Sequence, residues 1–173
     1  MIYASTMSVY GDAEELPVSE TYTNLIPKSF YAVGKLASEN YLRINSNKNF
    51  QTVALRFFNI YGPGQNLENL KQGMVSIFLA QMIKSRTITI KGSGERFRDF
   101  IHIKDVIEAL KALMFKDYKE DFKIYNICSG QPTKVKNLIS LLESSSSFKI
   151  KHQYTDSTPG DQFGIYGSYS AFQ

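Results

Sequence analysis

Tyr31 and Lys35, with Thr6 upstream, are the residues whose types and spacing could move a proton. The pair stands four apart in Ser29-Phe30-Tyr31-Ala32-Val33-Gly34-Lys35. On a helix that spacing puts both side chains on one face, with the ammonium beside the phenol. A free phenol has a pKa of about 10, and bringing it towards neutrality takes roughly 3 units, or about 4 kcal/mol, of preference for the phenolate. Nearby positive charge supplies that preference. In a chain with eleven tyrosines, a Tyr-x-x-x-Lys spacing alone carries little weight. Its company gives it weight: Ala4-Ser5-Thr6-Met7-Ser8-Val9-Tyr10-Gly11 before it, and Arg56-Phe57-Phe58-Asn59-Ile60-Tyr61-Gly62-Pro63-Gly64 and Arg98-Asp99-Phe100-Ile101-His102 after it.

Such a pair needs a helix, and the pattern supplies one over 30–45, with Phe30, Leu36, Ala37, Tyr41 and Leu42 available to a buried stripe. A strand precedes it and ends near Ser5 and Thr6. A polar loop follows over 11–28. Residues 52–58 form a β-branched and aromatic strand with Asn59 at its end, where parallel sheets bind ligands. Beyond Pro63 come a polar loop over 66–73, an amphipathic helix over 74–84 and a short strand over 87–91. Next are a helix capped by Asp105 and ending near Leu113, a buried strand over 123–127, and a helix capped by Thr133 that carries Val135, Leu138, Ile139 and Leu142. A serine run at 144–147 frays that last helix before a final extended segment over 149–154. This alternation predicts an α/β protein with a parallel sheet.

At 173 residues and 43% hydrophobic, the chain can bury one real core, so one domain, or one and a part, is expected. A net charge of +4 admits an anionic ligand. The 20 basic residues are mixed with 16 acidic ones along the chain, which argues against a nucleic-acid stripe. Cys128 is the single cysteine, so there is no internal disulfide framework, and no His/Cys cluster offers a metal site. The two histidines, His102 and His152, read as structural residues. No run approaches the roughly 20 apolar residues of a membrane span, and the N-terminus lacks signal-peptide features, so the cytoplasm is the expected compartment.

The ordered set of motifs resembles the extended short-chain dehydrogenase/reductase family, in particular the nucleotide-sugar epimerases of the UDP-glucose 4-epimerase type, from Ile2 to about Gly167. That family opens with a strand, a glycine-rich turn and a helix that holds the cofactor pyrophosphate. No Gly-x-Gly-x-x-Gly follows a strand near the start here, and Gly62-Pro63-Gly64 and Gly92-Ser93-Gly94 read as turns. The chain therefore reads as the later part of such an enzyme, an α/β fold with a partial Rossmann-type parallel sheet. The resemblance implies that residues 1–62 complete the NAD-binding domain and carry the catalytic residues. It implies that residues 63–173 mainly bind substrate, with a strand near 124–127 returning to the main sheet.

Residue roles follow from the same resemblance. Thr6 matches the hydroxyl that holds the reacting sugar oxygen, Tyr31 the general base, and Lys35 the residue that lowers the tyrosine pKa and binds the nicotinamide ribose of NAD. Phe57 and Phe58 match an aromatic pair beside the nicotinamide and the sugar. Asn59 and Arg98 match contacts to the diphosphate of a nucleotide-sugar substrate, with a surface ion pair to Asp99 as the plainer reading of Arg98. Gly160 and Asp161 match a later Arg-x-Gly-Asp motif, but Thr158 stands where its arginine belongs. Dehydratases of the family place Asp-Glu after the catalytic threonine, and decarboxylases tend to keep the glutamate. Here Met7 and Ser8 stand there, which favours epimerisation, with C4 of the sugar as the expected centre, a reductase left open and a non-catalytic nucleotide-sugar or protein-binding module as the alternative of another class. A full-length enzyme of this kind would form a homodimer through the face of the 30–45 helix opposite Tyr31 and Lys35.

Overall fold

The computed structural model describes residues 1–157 and 162–172. The chain runs through β1 (Ile2–Thr6), a 3-10 turn (Met7–Tyr10), α1 (Phe30–Asn45), β2 (Thr52–Phe57), β3 (Asn59–Tyr61), α2 (Met74–Ser85) and β4 (Thr87–Lys91). It continues through β5 (Phe97–His102), α3 (Ile103–Met114), β6 (Phe122–Ile127), β7 (Pro132–Lys134), α4 (Val135–Ser144), β8 (Lys151–Thr155) and β9 (Gly164–Ile165).

A parallel sheet in the order β1-β2-β6 carries the fold. Its register sets Ser5 opposite Arg56, Thr6 opposite Phe57, and Arg56 opposite Asn126. β2 is the middle strand, which explains why Thr52 to Arg56 are buried without alternation. α1 starts where Ser29 accepts a hydrogen bond from the Ala32 N–H, satisfying one of the first-turn donors that a helix leaves open. Below the sheet, Val53, Leu55, Tyr125 and Ile127 pack against Ile101 and Val106.

The buried face of α1 differs from the apolar stripe expected from sequence. Ala32 and Glu39 are its buried residues, while Phe30, 99% exposed, and Tyr41 lie in solvent. Phe30, Val33, Tyr41 and Ile44 share the outer side of the helix, and all four are exposed. The inner side meets a sheet that offers a buried charge, so an ion pair takes the place that an apolar contact would fill.

The second region is built around β5, which pairs with β3 and β9 in parallel and with β7 antiparallel. β4 and β8 form a separate parallel ribbon. Between them α2 and α4 bury Phe78, Met82, Ile88, Ile90, Leu138 and Ile139. Two helix starts differ from expectation. His102, rather than Asp105, caps α3 by accepting the Lys104 N–H, because β5 leads straight into the helix. Thr133 does not cap α4: it is paired in β7, and the carbonyls of Arg96 and Gly94 take the N–H groups of Val135 and Lys136. Asp99, fully buried in β5, accepts from Ser129 N and Oγ, Gly130 N and Gly167 N, tying the strand to two loops. It is therefore not the surface partner of Arg98. No helix among the described residues is long and apolar enough to cross a membrane.

Candidate functional site

Thr6 ends β1 and caps the 3-10 turn: its Oγ1 accepts the Ser8 N–H at 3.2 Å and donates to Ser8 Oγ at 3.2 Å. Gly11 closes the turn with φ 63, a conformation that a side chain disfavours. Tyr31 lies in the first turn of α1 and is 57% exposed, so its phenol reaches open space. One turn later, the Lys35 ammonium stands 5.7 Å from the Tyr31 ring centre and 5.0 Å from that of Tyr3. It donates to the Ala4 carbonyl at 2.7 Å, which leaves two donors for a ligand.

At the end of β2, Phe57 lies opposite Thr6. Phe58 is core, 5% exposed, packed with Val9, Tyr10 and Val18. The Asn59 amide donates to the Asp99 carbonyl at 3.0 Å and approaches Met7 Sδ at 3.8 Å. A cleft of about 490 Å³ is lined by Thr6, Tyr31, Lys35, Phe57, Phe58 and Asn59. The site residues expected from the first sixty positions thus converge on one space.

A second cleft of about 570 Å³ adjoins it and shares Met7, Ser8, Asn59, Gly73 and Met74 with it. Lys28, Lys71, Lys91, Arg96 and Arg98 line this space, with no carboxylate among the described lining residues. The first cleft can position a proton donor and acceptor, and the second can hold an anion. Arg98 is 4% exposed; it donates through Nη1 to the Phe97 carbonyl at 2.7 Å and the Phe163 carbonyl at 3.2 Å, and through Nη2 to the Gln162 carbonyl at 2.8 Å. Thr158, Gly160 and Asp161 lie outside the described residues.

Sequence reasoning missed a buried polar chain directly under the site. Ser5 donates to Glu39 Oε1 at 2.5 Å, and Arg56 reaches the same carboxylate through Nε at 3.1 Å and Nη2 at 2.7 Å. Burial works against the Arg56 charge, but the Glu39 bond and the Tyr10 and Glu39 charges outweigh it and raise the pKa. The guanidinium lies 4.6 Å from the Tyr10 ring centre, and Tyr10 Oη donates to Asn126 Oδ1 at 2.7 Å. Burial, partly offset by Arg56, pushes the Tyr10 phenol up to about 12. The signal was present as Tyr31, Lys35 and Glu39 at successive four-residue steps.

The chain belongs to the NAD dependent epimerase/dehydratase family, whose model matches residues 1–128. It is 31% identical over 169 residues to a putative UDP-glucose 4-epimerase of Methanocaldococcus jannaschii, covering 96% of this chain and 53% of that protein. It is 37% identical over 167 residues to dTDP-4-dehydro-6-deoxyglucose reductase of Escherichia coli, covering 95% and 51%. Its fold matches that of UDP-glucuronic acid 4-epimerase from Bacillus cereus, solved in complex with UDP-glucuronic acid and NAD. That match has a TM-score of 0.89 and 30% identity, and covers 99% of this chain and 53% of that one. The chain thus spans about half the length of the relatives it matches, and its α/β fold is that of their Rossmann-type sheet.

Proposed function

We propose that this chain carries the catalytic and substrate-holding part of an NAD-dependent nucleotide-sugar 4-epimerase. The observation that carries the reading is the convergence of Thr6, Tyr31 and Lys35 on one cleft that opens into a basic one. In this reading residues 1–62 belong to the cofactor domain and residues 63–173 mainly to the substrate region. The diphosphate sits against Arg98 and Asn59, and the sugar extends towards Thr6.

The residues at hand fit the nicotinamide-ribose end of NAD: an ammonium with free donors, a phenol beside it and the Phe57 ring, all on an open cleft. Bound there, NAD would supply reversible hydride acceptance at the sugar carbon. Tyr31 takes the proton from the sugar hydroxyl and later gives it back, work worth roughly 10² to 10⁴-fold in rate. Lys35 favours the phenolate by its charge. Thr6 turns its hydroxyl from Ser8 Oγ to the sugar oxygen and holds that oxygen against the phenol. Met7 and Ser8 supply no acid or base for eliminating water, which supports epimerisation over dehydration.

A reductase is the second reading, supported by the 37% identity to the E. coli enzyme. The exposed apolar outer face of α1, with Phe30, Val33, Tyr41 and Ile44, supports a homodimer. The test is a panel of UDP- and dTDP-sugars, 4-keto sugars included, incubated with the protein carrying this chain and either NAD or a reduced cofactor, NADH or NADPH, with products read by NMR. Interconversion of C4 epimers without net change in NAD is expected. Stoichiometric consumption of NADH or NADPH would favour the reductase, and no turnover with either cofactor would favour a binding module.

A further inference from the structure

We infer that Glu39 is a positioning residue for Tyr31, fixing the height and roll of the α1 helix against the sheet so that the phenol faces Thr6. The inference rests on the proposed role of Tyr31 as base. Tyr31, Lys35 and Glu39 lie at successive four-residue steps, each about 6 Å apart along the helix. Two of them are pinned to adjoining residues of β1: Lys35 to the Ala4 carbonyl and Glu39 to the Ser5 hydroxyl. Thr6 is the next residue of the same strand. Two fixed points on a helix set both its axis and its rotation, and Tyr31 extends their line over the cleft.

The Glu39 contact is also held from the other side. Arg56 grips the carboxylate with two hydrogen bonds from the middle strand, at the residue opposite Ser5. Tyr10 covers the guanidinium, and Tyr10 is anchored in turn to Asn126, whose amide donates to the Val18 and Ser168 carbonyls. Arg56 is 2% exposed and Glu39 3%. Apolar contact would bury this face too, but it is non-directional. A forked arginine-carboxylate pair fixes distance and plane. Arg56 Nη1 has no hydrogen-bond partner, so the arrangement does not maximise hydrogen bonding. Stability is a poor reason for such a pair, since apolar side chains of similar volume often replace buried ion pairs at no cost. A catalytic group displaced by about 1 Å can lose on the order of 10²-fold in rate.

That distinction supplies the test. The double variant Glu39→Leu/Arg56→Met removes both charges and keeps the volume. Assayed in the protein carrying this chain with NAD and the nucleotide sugar that turns over, it should melt within a few degrees of wild type. Its KM should change less than about threefold, and its kcat should fall roughly 10- to 100-fold. Ser5→Ala, which removes one contact to Glu39 and leaves the pair intact, should lower kcat by about threefold with KM unchanged, and it decides the matter if the double variant does not fold. Wild-type kcat in the folded double variant, or in Ser5→Ala when the double variant is unfolded, overturns the inference while leaving Tyr31 as base. Tyr31→Phe run alongside separates the two ideas: wild-type turnover there removes the base assignment itself.

Discussion

Asp99→Asn replaces a fully buried carboxylate with an amide of the same shape, so no cavity confuses its effect. Oδ1 accepts from Ser129 N at 2.8 Å and Ser129 Oγ at 2.7 Å, and Oδ2 accepts from Gly130 N at 2.9 Å and Gly167 N at 3.2 Å. An asparagine carbonyl can serve one of these pairs, but its NH₂ then faces the donors of the other. Two bonds to a charged acceptor are lost, each worth about 1.5–2 kcal/mol, so the cost is about 3–4 kcal/mol. For a domain whose whole stability is about 5–15 kcal/mol, that is a large share. Urea unfolding followed by circular dichroism should give a lower midpoint at an unchanged m-value. Ser129→Ala removes the hydroxyl that donates to Oδ1 and accepts the Gln131 N–H but keeps the backbone bond, and should cost about 1 kcal/mol. A loss below 1 kcal/mol in Asp99→Asn would refute the reasoning, because the carboxylate would then not be what holds the 128–130 and 167 segments to β5.

Stability should also fall in alkali. Cys128, pushed up to about 12 by burial and then by the Asp99 charge, and Tyr10, pushed up to about 12, keep their protons in the folded chain after the unfolded chain has released them near 9.0 and 10.0. The unfolded state then binds fewer protons, so unfolding free energy should drop by about 1.4 kcal/mol per pH unit above pH 9 and about twice that from pH 10 to 12. Cys128→Ala should remove the slope between pH 9 and 10; an unchanged slope there would refute the assignment. Gly11→Ala should cost about 3 kcal/mol or more in urea unfolding, since φ is positive and the added Cβ runs into the Ile26 carbonyl. A cost below 1 kcal/mol would mean that the turn after Tyr10 relaxes freely.

Local pattern made much of this fold legible. The 30–45 helix and the strands at 52–58, 87–91 and 123–127 came from periodicity and β-branched runs, and each was found within a residue or so. Fragments of the site were equally readable, because the Tyr31 to Lys35 spacing and the strand end at Thr6 are local facts. What stayed hidden depends on partners distant in sequence. Glu39 is buried because Arg56 lies beneath it, and Phe30 and Tyr41 are exposed because that pairing turns their side of α1 outward. The cap of α3 moved to His102 because β5 runs into the helix without a loop. The plainer reading of Arg98, a surface ion pair with Asp99, fails because the guanidinium is buried and held by carbonyls that include one 64 residues away.

The most direct test of the central claim is the turnover of Tyr31→Phe with the nucleotide sugar that wild type converts. Tyr31 is 57% exposed, so removing its hydroxyl should leave the fold and melting temperature essentially unchanged. The account predicts a loss in kcat of about 10²-fold or more with the substrate KM nearly constant. Wild-type turnover in the folded variant would contradict it.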